Sequence, residues 1–183
     1  MQVKKTDIPG VLLITPDVFY DDRGYFFEYY NRKKFQEATG LQVDFVQDNL
    51  AQSNRGVLRG LHFQTGKYAQ AKLVSVLKGK VLDVIVDLRK DSPAFGRYFS
   101  VVLDDRQKQQ LFIPRGFAHA YLCLEDDTLF YYKVDNYYHK ESERGIIYND
   151  PDIAIDWPYD LSKVDLSEKD KKLPYLKDIM NQL

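Results

Sequence analysis

Cysteine is nearly absent from this sequence: Cys123 is the only one in 183 residues. A lone thiol excludes an internal disulfide and any cysteine metal cluster. Its default setting is a reducing one, so a cytoplasmic location is expected. Histidine is almost as scarce, with three copies. Formal net charge is −1, which removes the whole-molecule electrostatic case for nucleic acid or an anionic membrane as partner. No apolar run approaches the roughly 20 residues of a membrane span. The opening "MQVKKTDIPG" lacks the apolar core of a secretory signal. What is plentiful is aromatic, with 14 Tyr and 11 Phe. Such residues favour strands and offer stacking faces.

The length suits one domain over residues 1–183 with a substantial core. "IPGVLLITPDVFYDDRGYFFEYY" reads as two strand segments, split at Thr15-Pro16-Asp17 and by the turn Asp21–Gly24. "NRKKFQEATG" reads as a short helix over 32–39, with Asn31 as N-cap and Gly40 as its stop. Extended segments are expected at 43–49, 56–64, 71–77, 80–88, 97–103, 109–113, 118–124 and 128–134. Many short strands at regular spacing predict an all-β sandwich or barrel. The tail, "LSEKDKKLPYLKDIM", is charged and reads as short helical pieces.

Two hairpins are expected. A turn at Lys78-Gly79 would set Lys72 opposite Ile85, with Asp83 and Asp87 on the same face. A turn within 125–128 would put His119, Tyr121 and Cys123 on one face with Phe130 and Tyr132.

The apolar stretch "GVLRGLHFQ" at 56–64 carries both Arg59 and His62. Alternation sends these two to opposite faces. They can share a pocket only if the strand bulges, and Gly60 is where a bulge costs least. A metal site is one use for such a histidine. However, Gln64 stands where a second ligand at i+2 would be, and His139 lies in the polar loop "NYYHKESERG", assigned to solvent. His62 and His119 without cysteines make a poor transition-metal set. Without metal, His62 suits general-base work, which needs a carboxylate to orient the ring. Asp83 and Asp170 are the candidates. Asp170 also fits a capping box in "SEKD" behind Ser167, and local sequence favours that role. Tyr132 could supply an acid, although a strand tyrosine is more often core. Lys72 begins an apolar strand, as either a partly buried ion pair or an oxyanion stabiliser.

Five motifs, "RGLHFQ", "LDVIVDLRKDSPAFG", "FIPRGFAHAY", "YYKVDNYY" and "ERGIIYNDPDIAIDWP", together resemble the dTDP-4-dehydrorhamnose 3,5-epimerase family, in order and over about residues 3–178. The resemblance implies a cupin-like β jelly roll, a homodimer, and no metal or other cofactor. It implies inversion of C3 and C5 in dTDP-4-dehydro-6-deoxy-D-glucose, giving dTDP-4-dehydro-L-rhamnose. By the same resemblance His62 is the base, Asp170 its partner, Tyr132 the acid, Lys72 the active-site lysine and Asp83 the carboxylate beside it. Substrate contacts would be Arg23, Glu28, Gln47, Asn49, Arg59, His119, Glu143 and Lys169, with Tyr138 stacked on thymine. Tyr148 departs from the family pattern, which more usually has tryptophan. A single-carbon epimerase, a metal-dependent cupin and a non-catalytic sugar-nucleotide-binding jelly roll are the alternatives.

Overall fold

Short β-branched and aromatic runs, punctuated by Gly, Pro and Asp, become thirteen strands in a computed structural model that describes residues 1–183. In chain order these are β1 (Gln2–Lys5), β2 (Leu12–Thr15), β3 (Phe19–Asp21), β4 (Gly24–Phe26), β5 (Gln47–Ser53), β6 (Leu58–Gln64) and β7 (Lys72–Lys78). They continue with β8 (Lys80–Asp87), β9 (Tyr98–Asp104), β10 (Gln110–Ile113), β11 (Phe117–Cys123), β12 (Thr128–Val134) and β13 (Glu143–Gly145). Helix α1 (Arg32–Thr39) starts on Asn31, whose side chain accepts the Lys34 N–H, and ends at a left-handed Gly40, as its sequence predicts. A second helix, α2 (Leu176–Ile179), lies in the tail. Two expectations were displaced. The strand expected at 43–49 begins at Gln47 and runs on to Ser53, and the short β1 was not anticipated.

The strands form two antiparallel sheets, ordered β1-β2-β10-β7-β12-β5 and β13-β6-β11-β8-β9, with β3 and β4 as a separate hairpin. Two packed antiparallel sheets with these crossovers make a jelly roll. The space between them is filled from both sides by Val74, Val76, Val81, Ile85, Leu111, Tyr121 and Phe130. The back of the five-stranded sheet is also covered. Leu58, Leu61, Val84, Val86 and Leu122 meet Ile146, Ile153, Trp157, Leu176 and Ile179 from the C-terminal third. Coverage of both faces explains why β8 and β11 are buried at nearly every position and lack a polar, solvent-facing alternation. On the six-stranded sheet, α1 seats Phe35 against Leu12, Leu73 and Phe112.

Neither predicted hairpin forms. Strand β7 belongs to one sheet and β8 to the other. Lys72 therefore pairs with Ile113 and Val134, not with Ile85. The connection is Gly79 alone, at φ +85°, where an added Cβ would stand 2.5 Å from Thr128 Oγ1. That left-handed residue turns the chain across the sandwich rather than back along the same sheet. Strands β11 and β12 are likewise split between sheets. Their inward residues still meet, because facing sheets interdigitate: Tyr121 stacks on Phe130 with ring centroids 3.9 Å apart.

Candidate active site

Between the sheets lies a cavity of about 660 Å³. The six-stranded sheet lines it with Gln47 and Asn49 of β5, Lys72 of β7 and Tyr132 of β12. Opposite them stand Arg59 and His62 of β6, His119 and Tyr121 of β11, and Glu143 of β13. Tyr138, Lys169 and Asp170 complete the wall from loop and tail.

Strand β6 puts Arg59 and His62 on one face by bulging at Gly60. His62 pairs with His119 and Arg59 with Tyr121, so two residues of β6 oppose Ala120 alone. Gly60 adopts φ +121°, and a Cβ there would lie 2.5 Å from the His119 carbonyl oxygen. Leu58, Leu61 and Phe63 pack into the outer core, and Arg59 and His62 both line the cavity.

The tail reaches His62 by docking beside β6. Asp165 accepts the Leu58 N–H through its carbonyl and donates its own N–H to Gly56. Downstream, Ser167 Oγ accepts the Asp170 N–H at 3.0 Å, which is half of the anticipated capping box. The other half is absent. The Asp170 carboxylate lies 2.6 Å from His62 Nε2 instead, with the Gly60 N–H at 3.4 Å from its second oxygen. His62 keeps 29% of its side-chain surface exposed, and Asp170 keeps 4%. Burial raises the Asp170 carboxyl, but the bonds from His62, Gly60 and Ser167 outweigh it and hold the group below the usual carboxylate value. An ionised Asp170 accepts the Nε2–H, which leaves Nδ1 with the basic lone pair. Such a dyad can take a proton from a bound molecule.

Lys72 faces the same space without a carboxylate in direct contact, and its ammonium lies 3.5 Å from His119 Nδ1. Burial pushes its pKa down to about 8, against the pull of Asp83 and Glu143. Asp83 sits behind His119, fully buried, with Oδ2 2.9 Å from His119 Nε2. It does not line the cavity: β8 runs next to β11, so His119 intervenes. Burial also raises the Tyr132 hydroxyl above its ordinary value, which keeps it protonated as a donor. Arg59 donates to Ser53 Oγ at 3.1 Å and has no carboxylate partner. Two cations without a direct carboxylate, Arg59 and Lys72, suit an anionic ligand. At the mouth, Glu143 joins Lys169 at 2.6 Å and Tyr138 Oη at 3.0 Å.

Arg23 and Glu28 are not brought to this cavity by their own chain. Arg23, with 90% of its side chain exposed, pairs with Asp21 on the β3–β4 hairpin. Glu28 is held by Asn31 and Lys34 at the start of α1. His139 stays outside the cavity with 36% of its side chain exposed, and there it stacks on Tyr68 at 3.7 Å and bonds Ser142 Oγ at 3.0 Å. Sequence reasoning gave no role to Tyr121, although it lies two residues from His119 on an alternating strand, which was the available signal. Gln64 is buried and structural, accepting the His139 N–H at 2.7 Å. No three His, Cys, Asp or Glu side chains converge in a metal-binding group.

Fold and site define a class: a jelly roll whose interior holds a hydrogen-bonded histidine–aspartate pair facing a tyrosine and a lysine. The sequence profile of the dTDP-4-dehydrorhamnose 3,5-epimerase family matches residues 5–178. The dTDP-4-dehydrorhamnose 3,5-epimerase of Escherichia coli K12 is 51% identical over 180 residues, 98% of this chain and 97% of that one. The crystal structure of the enzyme of that name from Elizabethkingia anophelis superposes with a TM-score of 0.93 at 51% identity, covering 97% of each chain. A Legionella pneumophila 3,5-epimerase solved in complex with dTDP-4-keto-L-rhamnose has a TM-score of 0.92 at 45% identity, covering 96% of this chain and 93% of that one. This chain belongs to the dTDP-4-dehydrorhamnose 3,5-epimerase family.

Proposed function

We propose that this chain inverts C3 and C5 of dTDP-4-dehydro-6-deoxy-D-glucose, releasing dTDP-4-dehydro-L-rhamnose. The observation that carries this reading is the His62–Asp170 dyad, 2.6 Å apart, in a cavity also lined by Lys72 and Tyr132 from the facing sheet. A C4 ketone acidifies the hydrogens on C3 and C5, because each carbanion is an enolate. His62 removes them through Nδ1, and ionised Asp170 stabilises the imidazolium that forms. The Lys72 ammonium stabilises negative charge developing on the C4 oxygen. Tyr132 returns a proton from the opposite face, as inversion requires. Arg59 binds the pyrophosphate, for which a guanidinium gives strong, directional bonds. Gln47, Asn49, His119, Glu143 and Lys169 line the remaining substrate path, and Tyr138 offers its ring to thymine.

Arg23 and Glu28 reach substrate only if a second copy presents them, so their role and the homodimer are one proposal. The exposed Phe19, Tyr20, Tyr25 and Phe26 of the β3–β4 hairpin support such a contact. Light scattering is expected to give twice the chain mass, and an active monomer would remove both residues from the site. The site works in the cytoplasm without a metal, so turnover is expected to survive chelation. No helix is long and apolar enough to cross a membrane. The deciding experiment is turnover in deuterated water. Solvent deuterium at both C3 and C5 is expected. Label at one carbon alone would make this a single-carbon epimerase, and no label would leave a binding protein.

A further inference from the structure

Two connections run side by side next to the cavity mouth. One joins β6 to β7 over residues 65–71, the other joins β12 to β13 over residues 135–142, and each passes from one sheet to the other. They are bonded together along their length. Asp135 Oδ1 accepts the Ala71 N–H at 2.7 Å, Asn136 Nδ2 donates to the Lys67 carbonyl at 2.8 Å, and the Thr65 N–H donates to the Ser142 carbonyl at 3.0 Å. At their middle the Tyr68 ring stacks on His139, with centroids 3.7 Å apart and planes 7° from parallel. Gln64 ties the same two residues by their backbones: its Oε1 accepts the His139 N–H at 2.7 Å, and its Nε2 donates to the Tyr68 carbonyl at 3.3 Å. Neither Tyr68 nor His139 lines the cavity, but Tyr138, adjacent in the chain, does. We propose that Tyr68 and His139 are positioning residues: their stack clamps the 135–142 connection, holds the Tyr138 ring in place for the nucleobase, and so sets nucleotide affinity without touching substrate. The clamp rests on the reading of Tyr138 as the thymine contact.

Backbone geometry couples the stack to Tyr138. His139 is extended, at φ −132° and ψ 111°, and in extended chain neighbouring side chains leave on opposite sides. Anchoring His139 on Tyr68 therefore turns Tyr138 toward the cavity mouth. There its N–H donates to Gln47 Oε1 at 3.2 Å and its Oη to Glu143 at 3.0 Å. Tyr138 is itself 53% exposed, so its ring has little packing of its own to fix it. A side chain ordered in advance need not be ordered by the ligand, which is how a clamp raises affinity. The stacked rings stand outside the hydrophobic core clusters, so their loss falls on the connection and not on the fold. A hydrolytic role for His139 with Ser142 fails on geometry. Ser142 Oγ at 3.0 Å and Glu141 Oε2 at 3.4 Å both face Nδ1, whereas a nucleophile and an orienting carboxylate need opposite ring nitrogens.

Calorimetric titration with dTDP is the test. His139→Ala is expected to weaken dTDP binding about 3- to 10-fold. KM should rise by the same factor with kcat unchanged, because the clamp acts on a group that holds ground state and transition state alike. His139→Phe keeps a flat ring over Tyr68 and should restore most of the affinity. In a Tyr138→Ala background, His139→Ala should add no further loss, since the stack acts through that ring. Hydrogen exchange of the ligand-free protein gives a second readout: the amides of 136–142 should exchange about 10-fold faster or more in His139→Ala, while those of the core strands keep their protection. Wild-type dTDP affinity in His139→Ala overturns the clamp. So does a fall in kcat at unchanged KM, an added loss in the Tyr138→Ala background, or faster exchange spread over the whole chain. A wild type that binds dTDP but exchanges no carbon-bound hydrogen sinks the epimerase reading alone, and the binding results still decide the clamp. A wild type that does not bind dTDP sinks the nucleotide reading and the clamp with it.

Discussion

His62 and His119 are the same residue type on adjacent strands, each bonded to an aspartate, yet their surroundings give them different work. His62 retains solvent contact and a free Nδ1, whereas His119 is enclosed and has both nitrogens engaged. Replacing His62 with alanine is expected to abolish deuterium exchange at both carbons, a loss on the order of a thousandfold or more in kcat. Nucleotide affinity measured by calorimetry should stay within a few-fold of wild type. Substantial residual exchange would assign the base elsewhere. Tyr132→Phe removes one hydroxyl and keeps the ring packed against Phe130. It is expected to slow formation of inverted product more than initial proton loss, so that exchange with retained configuration exceeds net epimerisation. Full epimerisation by this variant would displace Tyr132 as the acid. The residue types at this site were readable from the chain, since a scarce histidine beside arginine in an apolar strand is a conspicuous pattern. The partner was legible only through the family resemblance. "SEKD" by itself favours a helix cap, and Asp170 lies 108 residues from His62. Its N–H takes the cap from Ser167 while its carboxylate takes the long-range contact.

At the scale of elements, the β6 bulge is the device that makes an active strand from an apolar one. Gly60→Ala would force a Cβ to within 2.5 Å of the His119 carbonyl oxygen at φ +121°. Backbone strain and crowding together are expected to cost about 2–5 kcal/mol, read as a lowered Tm, and to misalign Arg59 and His62 even where the protein folds. A variant with wild-type Tm and kcat would show that the strand accommodates the methyl without changing register. This bulge was legible because alternation alone could not place Arg59 and His62 together, and glycine marked where the pattern had to break. The hairpins failed for the converse reason. Alternation tells which side chains point inward, and a strand facing its successor across a sandwich satisfies that pattern as well as one hydrogen-bonded to it. The expected meeting of His119 and Tyr121 with Phe130 therefore occurred without the expected pairing.

Across the whole molecule, several carboxyls hold their charge against burial. Asp87 is buried, and bonds from Arg89 and Ser92 keep its pKa below the ordinary value. Asp170 and Glu143 are shifted the same way by His62 and by Lys169 with Tyr138. A carboxyl whose folded pKa is depressed lends stability that is fully present above its unfolded pKa, near 4, and is lost as pH falls through the folded value. Tm is thus expected to be flat from about pH 5 upward on account of these groups and to fall steeply below about pH 4. Asp87→Asn should flatten part of that acid limb while leaving the site's chemistry in place. An unchanged slope would mean that Asp87 contributes nothing to it.

What the sequence determined by itself was local: the strand segments, the caps of α1, the scarcity of metal-ligating donors, and the inward-facing set on each strand. These depend on contacts a few residues apart, where propensity and alternation act directly. Only the tertiary structure decided which sheet each strand joins, which aspartate meets which histidine, and that Arg23 and Glu28 stand outside their own chain's cavity. Those outcomes turn on closing loops of dozens of residues, and the energy that selects among closures is the packing of whole sheet faces against each other and against the tail. No short stretch carries that information: Asp83 and Asp170, both candidates from the residues alone, reached different histidines as β8 settled beside β11 and the tail settled beside β6.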